Sequence, residues 1–182
     1  MLDEKRLVKV SRYLSKHLRH QPERLGLQLE PGGWVRVDTL LRALSDHSFA
    51  VTREELVEVV ERSDKQRFGF DESGARIRAN QGHSVDVELG LATAVPPAVL
   101  FHGTPEGNVD SISRDGLSRM GRHHVHLSPD VDTARRVGAR RGRPVVFTVD
   151  AAAMAADDRV FFVSDNGVWL TDCVPPGYLR RA

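Results

Sequence analysis

The 182-residue chain holds a single cysteine, Cys173, so no internal disulfide can form. That usage fits a reducing compartment. No apolar run approaches the length needed to span a bilayer. The first residues, Met1-Leu2-Asp3-Glu4-Lys5-Arg6, open acidic and show no apolar core of a signal peptide. These absences give the expectation of a cytoplasmic protein without a membrane partner. There is no GxGxxG and no Walker loop, so neither common nucleotide fold is indicated. The eight histidines have no cysteine partners at zinc spacing, and no carboxylate cluster has ligand spacing, so no metal is expected. No aromatic ladder for base stacking is visible.

What is present is an ordinary soluble composition, 40% hydrophobic and 28% charged, long enough for one large domain or two small ones. The net charge of +1 hides an uneven distribution. Residues 134–143 hold Arg135, Arg136, Arg140, Arg141 and Arg143 and no acid. The first helical segment carries Lys9, Arg12, Lys16 and Arg19 in one stripe. Local basic patches on a near-neutral chain suit a compact polyanion or nucleotide more than general nucleic-acid coating. A solvated helix face is the alternative explanation of such a stripe.

Leu7, Val10, Leu14 and Leu18 recur at three and four residues, which predicts an amphipathic helix ending before Pro22. Arg19 and His20 then sit at its C-terminal edge, where cations suit the helix dipole without any function. Trp34-Val35-Arg36-Val37 reads as a short strand. Asp38 is a candidate cap for a helix through Leu44. Thr52-Arg53-Glu54-Glu55 is a capping box for a helix to about residue 62. Residues 67–70 and 76–79 flank Asp71-Glu72-Ser73-Gly74 as a hairpin. A further strand is expected after Gln81-Gly82-His83-Ser84, and 91–97 reads as a linker. The sum looks like a winged helix, a module that often binds nucleic acid.

The second half alternates short strands with few helices. Strands are expected at 99–101, 124–127, 144–149, 160–163 and 168–171. Helices are expected near 109–114 and from Ser128-Pro129, with an alanine-rich helical turn after 149. The class is therefore α+β with a mixed sheet. Val99-Leu100-Phe101 ends on His102-Gly103-Thr104: an imidazole, a residue that lets a backbone or ligand approach closely, and a hydroxyl. Polar groups at the mouth of a strand are where small-molecule sites tend to lie.

Several motifs become specific when taken in order. They are Leu14-Ser15-Lys16-His17-Leu18-Arg19-His20, Gly33-Trp34-Val35, Lys65-Gln66-Arg67-Phe68 and Ile77-Arg78-Ala79-Asn80-Gln81-Gly82-His83-Ser84. After His102-Gly103-Thr104 come His124-Val125-His126-Leu127-Ser128, Val137-Gly138-Ala139-Arg140 and Asn166-Gly167-Val168-Trp169-Leu170-Thr171. The series closely resembles the Tpt1/KptA family of NAD-dependent RNA 2′-phosphotransferases, from about residue 10 to Tyr178. The resemblance implies a winged-helix RNA-binding lobe over 1–92 and an ADP-ribosyltransferase-like NAD-binding lobe over 98–182.

It also implies the reaction. An internal RNA 2′-phosphate, of the kind left at a tRNA splice junction, moves to NAD through an RNA-2′-phospho-ADP-ribose intermediate. The products are 2′-OH RNA, nicotinamide and ADP-ribose 1″,2″-cyclic phosphate. NAD is a co-substrate, no metal takes part, and no obligate protein partner is indicated. The catalytic residues implied are Arg19, His20, Arg67 and Arg140. His102, Gly103, Thr104, His126 and Ser128 are implied for NAD, and Lys16, Arg19 and Arg67 for RNA. Guanidinium forks suit a phosphate and developing charge. Arginine does not exchange protons near neutral pH, which leaves His20 as the proton carrier.

Where the family reads Val-Gly-x-Arg-His-Gly, this chain has Arg141 before Gly142. Consecutive helical residues turn about 100° apart, so one of Arg140 and Arg141 faces a site there. Two other functions fit parts of the pattern. One is an ADP-ribosyltransferase acting on nucleic-acid ends or protein without the second step. The other is a non-catalytic, NAD-sensing nucleic-acid-binding regulator.

Overall fold

In a computed structural model, which describes residues 2–63 and 65–182, the chain divides into two compact units. One ends at Gly90 and the other runs Leu91–Ala182. Helices and antiparallel sheets occur in both, so the chain is α+β.

The first unit opens with α1 (Glu4–Arg19). Leu7, Val10, Leu14 and Leu18 return to one face of it, and all four are buried. Burying each contributes roughly 1.5–3 kcal/mol as an upper bound. Asp3 caps the helix, accepting from the Arg6 N–H at 2.7 Å. The helix ends at Arg19, and Pro22 begins a short 3-10 turn. After β1 (Val35–Arg36) comes α2 (Val37–Asp46). Asp38, the expected cap, lies in the first turn, and Arg36 holds the N-cap position without a side-chain bond. An acid in the first turn still opposes the helix dipole.

The Thr52 capping box opens α3 (Arg53–Glu61) as expected. Thr52 Oγ1 accepts from the Glu55 N–H at 3.2 Å, and the Glu55 carboxylate accepts from the Thr52 N–H at 3.0 Å. The expected hairpin is β2 (Phe68–Phe70) with β3 (Arg76–Ala79), in the sheet order β1-β3-β2. Its turn is closed by Asp71, whose carboxyl falls to about 2 because the Arg76 N–H and then its guanidinium hydrogen-bond it. The strand expected after Ser84 does not form. Val85, Val87, Leu89 and Leu91 alternate as a strand would, yet no neighbouring edge pairs with them. A lone backbone bond from the Gly32 N–H to the Glu88 carbonyl, at 2.6 Å, serves instead.

The second unit runs β4 (Val99–Pro105), α4 (Val109–Asp115), β5 (Leu117–Ser118), β6 (Val125–Leu127) and α5 (Val131–Gly138). Then come β7 (Pro144–Asp150), α6 (Ala151–Ala156), β8 (Phe162–Val163), β9 (Trp169–Thr171), β10 (Cys173–Val174) and β11 (Leu179–Arg181). The pairings are β11-β7-β4, β6-β9-β8 and β5-β10, all antiparallel. α5 begins later than Ser128-Pro129 suggested, because the Asp130 carboxylate caps it by accepting from the Thr133 N–H at 2.7 Å. The former linker region belongs partly to this unit, with Thr93 bridged to Phe162.

α5 lies flat against β4 because two glycines meet there. A Cβ on Gly103 would fall 1.6 Å from the Ala134 carbonyl oxygen. One on Gly138 would fall 2.8 Å from the Thr104 nitrogen. Any side chain at either position would push the helix off the strand.

Candidate active site

In the first unit the end of α1 supplies Lys16, Arg19 and His20. Lys16 is exposed on the last turn, one turn before His20. Arg19 is half-buried, and its Nη2 donates to the Arg67 carbonyl at 3.5 Å. The same carbonyl accepts from the Asn80 N–H at 3.0 Å. The Arg67 backbone thus meets the Arg19 guanidinium although 48 residues separate them.

The backbone just before Arg67 explains its placement. Gln66 has φ +40°, a left-handed conformation that non-glycine residues rarely adopt. The turn is held from both sides: the Gln66 N–H donates to the Ser63 carbonyl at 2.8 Å, and its carbonyl accepts from Asn80 Nδ2 at 2.7 Å. Such strain persists where surrounding contacts over-determine it.

His20 caps α1 and is exposed, with Nδ1 2.9 Å from the Ser84 hydroxyl. The Ser84 N–H also donates to the Arg19 carbonyl at 2.9 Å. One serine therefore ties down the backbone of one expected catalytic residue and the ring of the next. Ser84, Asn80 and the Gln66 turn carried no signal of their own in the motifs. Each acts through a contact between distant residues or through a dihedral angle.

In the second unit β4 sets the geometry. His102 is half-buried, and its Nδ1–H donates to the His126 carbonyl at 3.1 Å. Burial pushes its pKa below the usual 6.5, against the smaller opposing effect of that carbonyl. The neutral ring with its proton on Nδ1 leaves Nε2 as an acceptor. Phe101 bonds Ser128 in both directions, donating at 2.9 Å and accepting at 2.7 Å. Those groups point away from β7, and antiparallel alternation turns the Gly103 N–H and C=O the same way. Gly103 thereby presents a donor and an acceptor side by side on the edge that carries Ser128. The Thr104 hydroxyl is differently placed: the residue is 2% exposed and its Oγ1 accepts from Asn108 Nδ2 at 3.3 Å.

The arginine cluster separates into two groups. Arg135 pairs with Asp132 at 3.9 Å, Arg143 with Glu106 at 3.9 Å, and Arg136 donates to Thr133 at 2.9 Å. Arg140 and Arg141, on the 3-10 turn Ala139–Arg141, form no ion pair among the described residues. A third cation faces them. Arg122 is held below the ordinary arginine value, first by partial desolvation and then by the charges of Arg140 and Arg141. Its Nη1 donates to His126 Nδ1 at 3.3 Å. Like charges gathered without a carboxylate form a site suited to an anion. Arg122 escaped the sequence reading because it lies in an irregular loop with no periodicity.

Among the described residues no helix is long and apolar enough to cross a membrane. Nor do three or more His, Cys, Asp or Glu side chains gather as a metal site would require.

One unit thus carries an arginine and a histidine at the end of α1, and the other carries Arg122, Arg140 and Arg141 without an ion pair among the described residues. Residues 5–173 match the family model described as RNA 2′-phosphotransferase, Tpt1 / KptA family. A protein named "Probable RNA 2′-phosphotransferase" from Nostoc punctiforme is 57% identical over 180 residues, 99% of each chain. One of the same name from Streptomyces griseus is 59% identical over 185 residues, 98% of each chain. Another from Flavobacterium johnsoniae is 46% identical over 171 residues, 94% of each. The chain belongs to the Tpt1/KptA family of RNA 2′-phosphotransferases.

Proposed function

We propose that this RNA 2′-phosphotransferase moves an internal RNA 2′-phosphate to NAD in two steps. The observation that carries the reading is the meeting of Arg19 with Arg67 beside a His20 fixed by Ser84. An arginine that reaches the Arg67 backbone, beside a histidine held by a serine, brings two arginine positions and a proton carrier together, which suits a phosphate that must be both held and reacted. On this reading the first unit is a winged-helix lobe that takes the RNA, with Lys16 on a flanking phosphate. The second is an ADP-ribosyltransferase-like lobe for NAD.

The donor set of the second unit fits NAD. The paired N–H and C=O of Gly103 complement a carboxamide, which offers one acceptor and one donor. Neutral His102 accepts a hydroxyl proton at Nε2, and Ser128 is bridged to the preceding residue, Phe101. His126 holds His102 in that tautomer through its carbonyl. Thr104, with its hydroxyl on Asn108, keeps β4 in place rather than reaching outward. The charges of Arg122 and Arg140 oppose those of a pyrophosphate.

In the first step the RNA 2′-phosphate attacks the ribose carbon that carries nicotinamide, and nicotinamide leaves. In the second, the ribose 2″-hydroxyl attacks the phosphorus and the RNA 2′-oxygen departs. His20 serves the proton traffic, while Arg19, Arg67 and Arg140 stabilise charge on the phosphoryl oxygens. The test is incubation with NAD and a short RNA bearing one internal 2′-phosphate. Expected products are 2′-OH RNA, nicotinamide and ADP-ribose 1″,2″-cyclic phosphate, with none formed when NAD is omitted. Release of nicotinamide with a stable RNA adduct would show a transferase that stops at the first step. Phosphate removal without NAD would overturn the reading.

A further inference from the structure

The polar face of α1 carries more positive charge than the reaction uses. With 100° per residue, Lys5, Lys9, Arg12, Lys16, Arg19 and His20 fall within a band about 100° wide. Every residue of that band from Lys5 to His20 is a cation or a histidine, and the buried leucines lie opposite. Lys5, Lys9, Arg12 and Lys16 are exposed and form no ion pair among the described residues. The acid nearest the band, Glu4, is engaged by Arg62 at 3.0 Å.

Beside the band runs an open groove of about 590 Å³. Its walls are those four cations with Val8, Tyr13, Phe49 and Glu4, the acid that Arg62 engages. The two rings stack at 4.0 Å, and the Lys9 ammonium lies 5.7 Å from the centre of the Phe49 ring. The groove thus has an apolar floor and a cationic rim, and it runs along α1 as far as Lys16, one turn from His20. A membrane surface does not match this face, because the apolar side of α1 is already buried in the core of the first unit.

We infer that the α1 groove is a track for the RNA strand flanking the reacting nucleotide, with Lys5, Lys9 and Arg12 on its backbone phosphates. The inference rests on RNA being the substrate. Lys5 to Arg19 spans about 21 Å, at 1.5 Å per residue. A stacked strand carries one phosphate per about 3.4 Å of its axis, so the track passes roughly six nucleotides. Contacts of this kind fix register and carry no sequence information. The apolar floor takes ribose or base faces without selecting among bases.

The experiment compares Lys5→Gln/Lys9→Gln/Arg12→Gln with the unaltered protein on two substrates, a dinucleotide and a twelve-nucleotide RNA, each with one internal 2′-phosphate. Glutamine keeps helix propensity at exposed positions, and circular dichroism checks the fold. The expected result is an unchanged kcat/KM on the dinucleotide and a KM about 10–100-fold higher on the long RNA at low salt, with kcat unchanged. Direct binding of the long RNA should lose about 2 from its log–log salt slope, at about 0.7 per single-strand contact.

A long RNA that gains nothing over the dinucleotide in the unaltered protein would overturn the track. So would a triple variant with the original slope. Polyglutamate competing as well as unphosphorylated RNA of equal charge would also overturn it, in favour of an acidic protein partner. If neither substrate loses its phosphate in the presence of NAD, the proposed function fails instead. The binding slope still decides the track in that case.

Discussion

Ser84 shows how a single side chain can matter without touching substrate. Its hydroxyl meets His20 Nδ1 while its N–H holds the Arg19 carbonyl. Ser84→Ala removes the first bond and keeps the second. It should lower kcat about tenfold with little change in KM for RNA, whereas Ser84→Thr should retain activity, as steady-state kinetics will read. Equal losses in the two variants would point to packing rather than to the ring. His102 offers a second test, through pH. Burial depresses its folded pKa below 6.5, so charging the ring costs stability. That cost is absent above 6.5 and grows as pH falls below it toward the lowered value. Denaturant unfolding from pH 7 to about pH 5 should therefore show a steeper loss for the unaltered protein than for His102→Asn. One such group contributes at most about 1.4 kcal/mol per pH unit.

Gly103 joins an element to its neighbour as well as to a ligand. Its missing Cβ admits the Ala134 carbonyl, and its backbone faces the Ser128 edge. Gly103→Ala forces α5 away from β4 and should cost at least roughly 1–3 kcal/mol, read as a lower denaturant midpoint. The sequence marked this glycine as a place of close approach but could not say that a helix, too, approaches. The same division holds elsewhere. α1, the Thr52 box and the hairpin closed by Asp71 were legible because periodicity, capping and turn chemistry are local signals. The strand expected after Ser84 did not form, since pairing needs a partner strand that no local pattern displays. β10 and β11, two and three residues long, are too short to carry a period. Arg19, His20, Arg67 and Arg140 were expected as site residues from the ordered motifs. The Gln66 turn, Asn80, Ser84 and Arg122 were not, because a positive φ and contacts across the chain leave no periodic trace.

The whole molecule has two cores. One is centred on Leu14, Leu18, Leu40, Leu56 and Ile77, the other on Leu100, Leu127, Val149, Met154 and Phe161. The expected catalytic residues are shared between the units, with Arg19, His20 and Arg67 in the first and Arg140 in the second. Under the proposed function, substitutions in either unit should report on the same two-step reaction. In the proposed reaction the first step is assisted by a good leaving group, nicotinamide. The second must expel an RNA oxygen from a crowded, highly charged phosphoryl centre, and it has greater need of fixed donors. Removing one such donor typically costs about 10²–10³ in rate, roughly 3–4 kcal/mol. Arg67→Ala and Arg140→Ala should slow the second step more than the first, so that the RNA-phospho-ADP-ribose adduct builds up on a denaturing gel. Arg141→Ala should do much less. Arg122→Ala, which removes charge beside Arg140 and a donor to His126, should instead raise KM for NAD without accumulating adduct. If Arg140→Ala turns over normally while Arg141→Ala accumulates the adduct, the catalytic arginine of the second unit is Arg141.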